Sequence, residues 1–261
     1  MGTIAITGAA SGIGAATAAR LKREGHRIIG VDVQPCDVVA DLGTPEGRRA
    51  AAEGIATRAE GQLDGLVSGA GLGPYADPEA VIRVNYFGAI AILDDLKPLL
   101  EQSAAQGADP AAVAISSIGA IFADVVPEQG VPDCLEACLA GDEARAIETI
   151  RGRSGNDAYC VAKRALALKV RANVMDWGQA GIRLNAIAPG TTETPMLEQI
   201  HRTEGIGDAV RALPIPLGRT ATAEELASVI CFLLGPDARF IHGSVIHVDG
   251  GSGALVRPGT I

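Results

Sequence analysis

Short apolar runs alternate with helix-patterned stretches along almost the whole chain. The runs fall at residues 3–6, 27–31, 38–40, 65–68, 111–116, 182–188 and 245–248. Short apolar strands separated by helices build parallel β-α-β units. Seven of them predict an α/β fold, a doubly wound, seven-stranded parallel sheet with helices on both faces. Ligands are then expected at the carboxyl edge, where the strand order reverses. Local signals fit this reading: Gly25 follows a helical pattern over 15–24 as a C′ glycine, and Thr222 with Glu225 has capping-box spacing for a helix running to residue 234.

One segment breaks the alternation. Between Ser117 and Tyr159 lies a long stretch with Pro127 and Pro132, then a single acidic helix expected from about 134 to 150, with Leu135, Cys138, Leu139, Ile147 and Ile150 on one side. This helical insertion, at about 120–155, must have its apolar stripe covered, by its own subunit, by a second subunit, or by acting as a substrate lid.

The 261 residues are read as one domain, 1–261, large enough for a sizeable core. Apolar residues at 48% with only 3% aromatics, and 33 glycines, imply a tightly packed aliphatic interior. The formal charge of −9 disfavours nucleic acid or an anionic membrane as partner. No apolar run reaches the roughly 18 residues of a membrane span. Five scattered cysteines and no signal peptide predict free thiols and a cytoplasmic location. Cys134 and Cys138 have one-face spacing but no further ligands nearby, so no metal site is expected.

Candidate chemistry begins at Thr7-Gly8-Ala9-Ala10-Ser11-Gly12-Ile13-Gly14, between the first strand and the first helix. Glycines there let the backbone approach a pyrophosphate while unpaired N–H groups and the helix dipole face its charge. Asp32, at the end of the second strand, can accept bonds from both hydroxyls of an adenine ribose and would repel a 2′-phosphate, which favours NAD over NADP. Tyr159 and Lys163 stand four apart at the start of a helical run, so phenol and ammonium share a face. A charge about 5 Å away at an effective dielectric of about 20 contributes about 3 kcal/mol, or about two pKa units, toward making the phenol an acid–base group. Ser116 and Ser117 follow another strand, where a hydroxyl could hold a carbonyl.

Together these residues, with Asp41-Leu42, Val84-Asn85, Asn185-x3-Pro189-Gly190 and Val248-Asp249-Gly250-Gly251, resemble the short-chain dehydrogenase/reductase family over nearly the whole chain. The resemblance implies a Rossmann fold and a catalytic set of Asn85, Ser117, Tyr159 and Lys163. In that set Tyr159 exchanges the proton, Ser117 positions the reacting oxygen, Lys163 binds the nicotinamide ribose, and Asn85 holds a relay water. It further implies cofactor contacts from Gly8, Ser11, Gly12, Ile13, Gly14, Asp32, Asp41, Leu42, Ala70, Gly71, Tyr159, Lys163, Pro189, Thr192 and Thr194. The chain departs from the family at Gly69, where an asparagine is usual, and in the length of the insertion. That insertion resembles the hydroxysteroid dehydrogenase and carbonyl reductase branch, in which it serves dimer contacts. The resemblance therefore implies a homodimer, with a tetramer second, and an NAD-dependent enzyme interconverting a secondary alcohol and a ketone on apolar steroid, alicyclic or aromatic substrates. A substrate loop at about 194–216, carrying Ile200, Ile206, Val210 and Leu213, would close over them. Two other readings are a dehydrogenase for a polyol or sugar-derived alcohol and a non-catalytic NAD-sensing protein.

Overall fold

The computed structural model describes residues 2–125 and 131–259; residues 126–130 of the expected insertion, Pro127 among them, lie outside these. In chain order the elements are β1 (Thr3–Thr7), α1 (Gly12–Arg23), β2 (Arg27–Asp32), β3 (Val38–Val39), α2 (Pro45–Ala59), β4 (Gly65–Ser68), α3 (Pro78–Ile82), a π-helical segment (Arg83–Gly88) and α4 (Ala89–Ala105). There follow β5 (Ala111–Ile115), α5 (Gly119–Val125), α6 (Pro132–Ala140), α7 (Glu143–Ile150), α8 (Gly155–Ala172), α9 (Val174–Gln179), β6 (Arg183–Pro189), β7 (Thr192–Glu193), α10 (Pro195–Arg202), α11 (Ile206–Ala212), β8 (Ala221–Thr222), α12 (Ala223–Leu234), β9 (Val245–Val248) and α13 (Ser252–Val256).

Seven strands form one parallel sheet in the order β3-β2-β1-β4-β5-β6-β9, so the order reverses between β1 and β4. Alternate residues of each strand feed opposite layers. Ala5, Ala112 and Ala114 join a core under α2, α4 and α8, whereas Ile4, Ile6 and Val113 join one under α1 and α12. All seven expected strands form, with ends shifted by a residue or so. Two short strands not expected from sequence, β7 and β8, pair separately as Thr192 with Ala221 and Glu193 with Thr222.

The first helix starts three residues earlier than its apolar pattern, because Gly12 and Gly14 make up its first turn. It ends as expected: Gly25 has φ 88°, its N–H reaches the Lys22 carbonyl at 3.1 Å, and the His26 N–H reaches that of Leu21 at 3.0 Å. The Thr222–Glu225 capping box forms at α12.

The single helix expected over 134–150 is two. Gly141, at φ 77°, ends α6, and the Asp142 carboxylate opens α7 by accepting from the Arg145 N–H at 3.0 Å. The break resets the buried face. Cys134, Ala137, Cys138, Ala146, Ile147 and Ile150 are buried, while Leu139, expected on the same stripe, is 40% exposed. The stripe is covered by the chain's own helices, α6 lying on α8 and α7 on α3. Likewise the expected substrate loop contains two helices, α10 and α11, whose flanks are tied together by the β7–β8 pair.

Candidate active site

The turn after β1 depends on missing side chains. Gly8 and Gly12 have φ of 73° and 52°, and a Cβ at Gly14 would run into the Gly8 carbonyl oxygen. A Cβ at Gly8 would lie 2.9 Å from Gly69 O and Ala70 N, so the turn sits directly against the end of β4. The N-cap residue of α1, Ser11, makes no side-chain cap bond. The first-turn amides of Gly12, Ile13 and Gly14 are the orphan donors every helix carries, and here they face a cavity. That donor set, with no Cβ in the way, fits a pyrophosphate.

Asp32 lies beside this turn. Its Oδ2 accepts from the Ala10 N–H at 3.0 Å and its Oδ1 from the Gln34 N–H at 3.1 Å, which leaves each oxygen a further lone pair. Asp41 folds its own turn by accepting from the Gly43 N–H at 2.8 Å, and Leu42 is buried behind it. Thr7 Oγ1 accepts from the Gly69 and Ala70 N–H groups at 3.0 and 3.1 Å, joining β1 to the end of β4. A Cβ at Gly69 would lie 2.9 Å from the Thr7 carbonyl oxygen, so any larger residue would push the two strands apart.

Ser117 and Tyr159 stand together at Gly119, where a Cβ would lie 3.1 Å from Tyr159 Cε1 and 3.4 Å from Ser117 Oγ, and Ser117 Oγ accepts from the Gly119 N–H at 3.0 Å. The neighbouring serine acts elsewhere. Ser116 Oγ donates to the Lys163 carbonyl at 2.8 Å and so fastens α8 to β5. A Ser154–Asp157 capping box, unremarked in the sequence pattern, starts α8 and fixes the register of Tyr159 and Lys163. Lys163 is 5% exposed; its Nζ donates to the Ile115 carbonyl at 2.7 Å and lies 5.9 Å from the centre of the Tyr159 ring. Asn85 lies in the π-helical segment, fully buried. Its Oδ1 accepts from the Leu72 N–H at 2.7 Å and its Nδ2 donates to the Leu72 carbonyl at 2.9 Å. A Cβ at Gly71 would lie 3.2 Å from Asn85 Oδ1 and 3.5 Å from Lys163 Nζ, so this glycine lets amide and ammonium close on the same backbone.

Burial pulls the Lys163 ammonium down from its ordinary 10.5 to about 8. The expected lowering of the Tyr159 phenol by Lys163 is not met in the protein alone. Burial raises Tyr159 above 10.0, and the neighbouring Ser117 hydroxyl offsets only part of that rise. The physical reason is that both groups left water together, and desolvation opposes either charge.

Pro189, Thr192 and Thr194 complete the far wall. The Pro189 carbonyl accepts from the Ile118 N–H at 2.8 Å and the Thr192 hydroxyl donates to Gly190 O at 2.9 Å. Thr194 caps α10, its methyl 3.2 Å from where a Gly12 Cβ would be. All the sequence-predicted site residues except Asn85 line one cavity of about 880 Å³. Asn85 stands behind it. The cavity also takes in Leu72, Phe122, Cys160 and Arg83, which no local sequence signal marked, and the expected Ile200, Val210 and Leu213. Ile206, expected beside them, does not line it. A second cavity of about 580 Å³, at the amino ends of β1, β4 and β5, contains none of the predicted residues.

A parallel sheet with a glycine turn at its reversal point and a Ser-Tyr-x3-Lys constellation beside it defines a class of nicotinamide-dependent oxidoreductases, and the chain belongs to the short-chain dehydrogenase/reductase family. Residues 145–253 match a family model described as enoyl-(acyl carrier protein) reductase. The chain is 42% identical to the 3-alpha-hydroxysteroid dehydrogenase/carbonyl reductase of Comamonas testosteroni over 99% of both chains. It is 31% identical to a coniferyl-alcohol dehydrogenase of Pseudomonas sp. over 95% of both. The crystal structure of the 3-alpha-hydroxysteroid dehydrogenase from Pseudomonas sp. B-0831, complexed with NADH, superposes with a TM-score of 0.93 at 46% identity, covering 99% of this chain and 100% of that one.

Proposed function

We propose that the protein is an NAD-dependent oxidoreductase that interconverts a secondary alcohol and a ketone, acting as a 3α-hydroxysteroid dehydrogenase/carbonyl reductase on apolar steroid, alicyclic or aromatic substrates. The observation that carries this reading is the convergence of Ser117, Tyr159 and Lys163 on one cavity whose wall includes Leu72, Phe122, Leu197, Ile200, Val210 and Leu213. Such a wall suits an apolar ring system and offers few partners to the hydroxyls of a polyol.

The glycine turn would hold the pyrophosphate, Asp32 the adenine ribose, Asp41 and Leu42 the adenine, and Lys163 the nicotinamide ribose. Pro189, Thr192 and Thr194 would stand beside the carboxamide and phosphates. When bound, the nicotinamide supplies or accepts the hydride and adds positive charge next to Tyr159. In oxidation, Tyr159 Oη takes the proton of the substrate hydroxyl while Ser117 Oγ holds the same oxygen; in reduction, Tyr159 returns it. Lys163, still largely an ammonium at neutral pH, favours the phenolate form. Asn85 spends one of its two N–H groups and one lone pair on Leu72, and its remaining capacity is assigned to a water that passes the proton onward.

The enzyme is read as a homodimer, or else a tetramer, of the cytoplasm. Among the described residues no helix is long and apolar enough to cross a membrane.

The test is consumption of NADH with a steroid ketone, an aryl ketone and a ketose, for wild type and Tyr159→Phe. Expected are turnover of the first two, little of the third, and a loss of about 10²–10⁴-fold in the variant with NADH binding retained. Full activity in Tyr159→Phe would remove the phenol from its role, and preference for the ketose would overturn the substrate class. NADH binding without turnover of any carbonyl would favour the sensing alternative.

A further inference from the structure

Arg48, on α2, is buried behind the cleft at 8% exposure. Its Nε donates to the Leu42 carbonyl at 2.8 Å and its Nη2 to the Arg83 carbonyl at 3.1 Å. Nη1 and Nη2 also grip the two carboxylate oxygens of Glu143, at 2.7 and 2.9 Å. The two carbonyls belong to two neighbouring segments of the cavity wall, one of residues 40–44 and one that contributes Ala80, Arg83 and Val84. Those segments meet closely. A Cβ at Gly43 would lie 3.2 Å from Val84 Cγ2, and one at Gly88 would lie 2.9 Å from the Leu42 carbonyl oxygen.

A planar guanidinium can satisfy two carbonyls and a carboxylate at once, and an ammonium cannot reproduce that fork. A buried guanidinium also needs a counter-charge. That carboxylate comes from the first turn of α7, inside the insertion. Arg83 approaches Glu143 at 3.7 Å and Glu79 at 3.6 Å, and Arg151, just past the end of α7, pairs with Glu79 at 3.0 Å. Both ends of α7 are thereby tied to the segment that carries Arg83.

We propose that the insertion braces the adenosine end of the cofactor cleft: Arg48, clamped by Glu143, is a positioning residue that sets the spacing of the two segments and so the affinity for the dinucleotide. The inference rests on the NAD reading above. It gives the insertion a role inside its own subunit, separate from covering substrate or joining a second copy.

The experiment titrates the full-length protein and its Glu143→Gln and Arg48→Lys variants with NADH and with ADP-ribose, and measures kcat at saturating NADH. At least threefold weakening of both ligands, by similar factors, with kcat changed less than threefold, is the expected result. Similar factors locate the loss in the half that the two ligands share. A residue that merely holds up the fold would lower the melting temperature and leave both affinities in place. NADH binding within threefold of wild type in a folded variant would overturn the brace, as would weakening of NADH alone or a kcat that falls in step. If Arg48→Lys does not fold, Glu143→Gln, at a side chain about a quarter exposed, carries the test. Wild type that binds neither ligand sinks the cofactor reading itself and the brace with it; wild type and variants that bind alike sink the brace alone.

Discussion

Lys163 is held at a cost that should be measurable. Its ammonium is 5% exposed and has the Ile115 carbonyl as its hydrogen-bond acceptor. Burial lowers its pKa from 10.5 to about 8. Below the folded value both the folded and unfolded chains carry the proton, and the penalty for burying the charge is fully present. Between about pH 8 and 10.5 the unfolded chain binds more protons than the folded one, so stability rises with pH through that window. At 1.36 kcal/mol per unit the penalty is about 3 kcal/mol near pH 7 and falls to a few tenths near pH 10.5. Lys163→Met removes it altogether but strands the Ile115 carbonyl, which costs about 1–3 kcal/mol. That second cost does not depend on pH. Urea unfolding of both proteins, cofactor-free, at about pH 7 and about pH 10 should therefore show the variant's advantage over wild type shrinking by about 2–3 kcal/mol. Activity should be lost at both values. A stability difference that stays flat across this range would refute the claim that Lys163 is a desolvated charge.

Two further substitutions test other steps. Asp32→Asn keeps the size of the side chain but removes the charge that bonds the Ala10 and Gln34 amides; NADH affinity should fall by about tenfold and the preference over NADPH should narrow. Titration with both cofactors checks this, and an unchanged preference would free Asp32 from its part. Gly141→Ala places a Cβ in open space at φ 77°, so only backbone strain opposes it, and stability should drop by about 1 kcal/mol with kinetics unchanged. A rise of similar size in urea unfolding would mean that the helix runs through position 141, where alanine would be favoured.

Local physics was legible in the chain. A strand's hydrophobic run, the φ that only glycine tolerates at positions 8 and 25, and the reach of a side chain to an amide three residues on are short-range facts. The seven strands, the cap at Thr222 and the glycine turn could therefore be read directly. The four-residue spacing of Tyr159 and Lys163 was equally local, since one helix turn puts them on a common face. The family resemblance then joined these pieces into one site.

Other features depended on what lies opposite, and no window of sequence contains that. Leu139 looked apolar enough to be buried, but α6 turns the face of Cys134, Ala137 and Cys138 inward and Leu139 falls outside it. The Tyr159 phenol looked as though Lys163 would acidify it, yet packing removed more solvent than the ammonium replaced. Thr7, sixty-two residues before Gly69, supplies its hydroxyl oxygen to the Gly69 and Ala70 amides. Arg48 gave no signal at all: its fork joins a carbonyl six residues away to another at thirty-five and a carboxylate at ninety-five. Hydrogen bonding, desolvation and steric exclusion act over a few ångströms of space regardless of separation along the chain. The elements were therefore settled by neighbouring residues, and the partners and charges within the site by the fold.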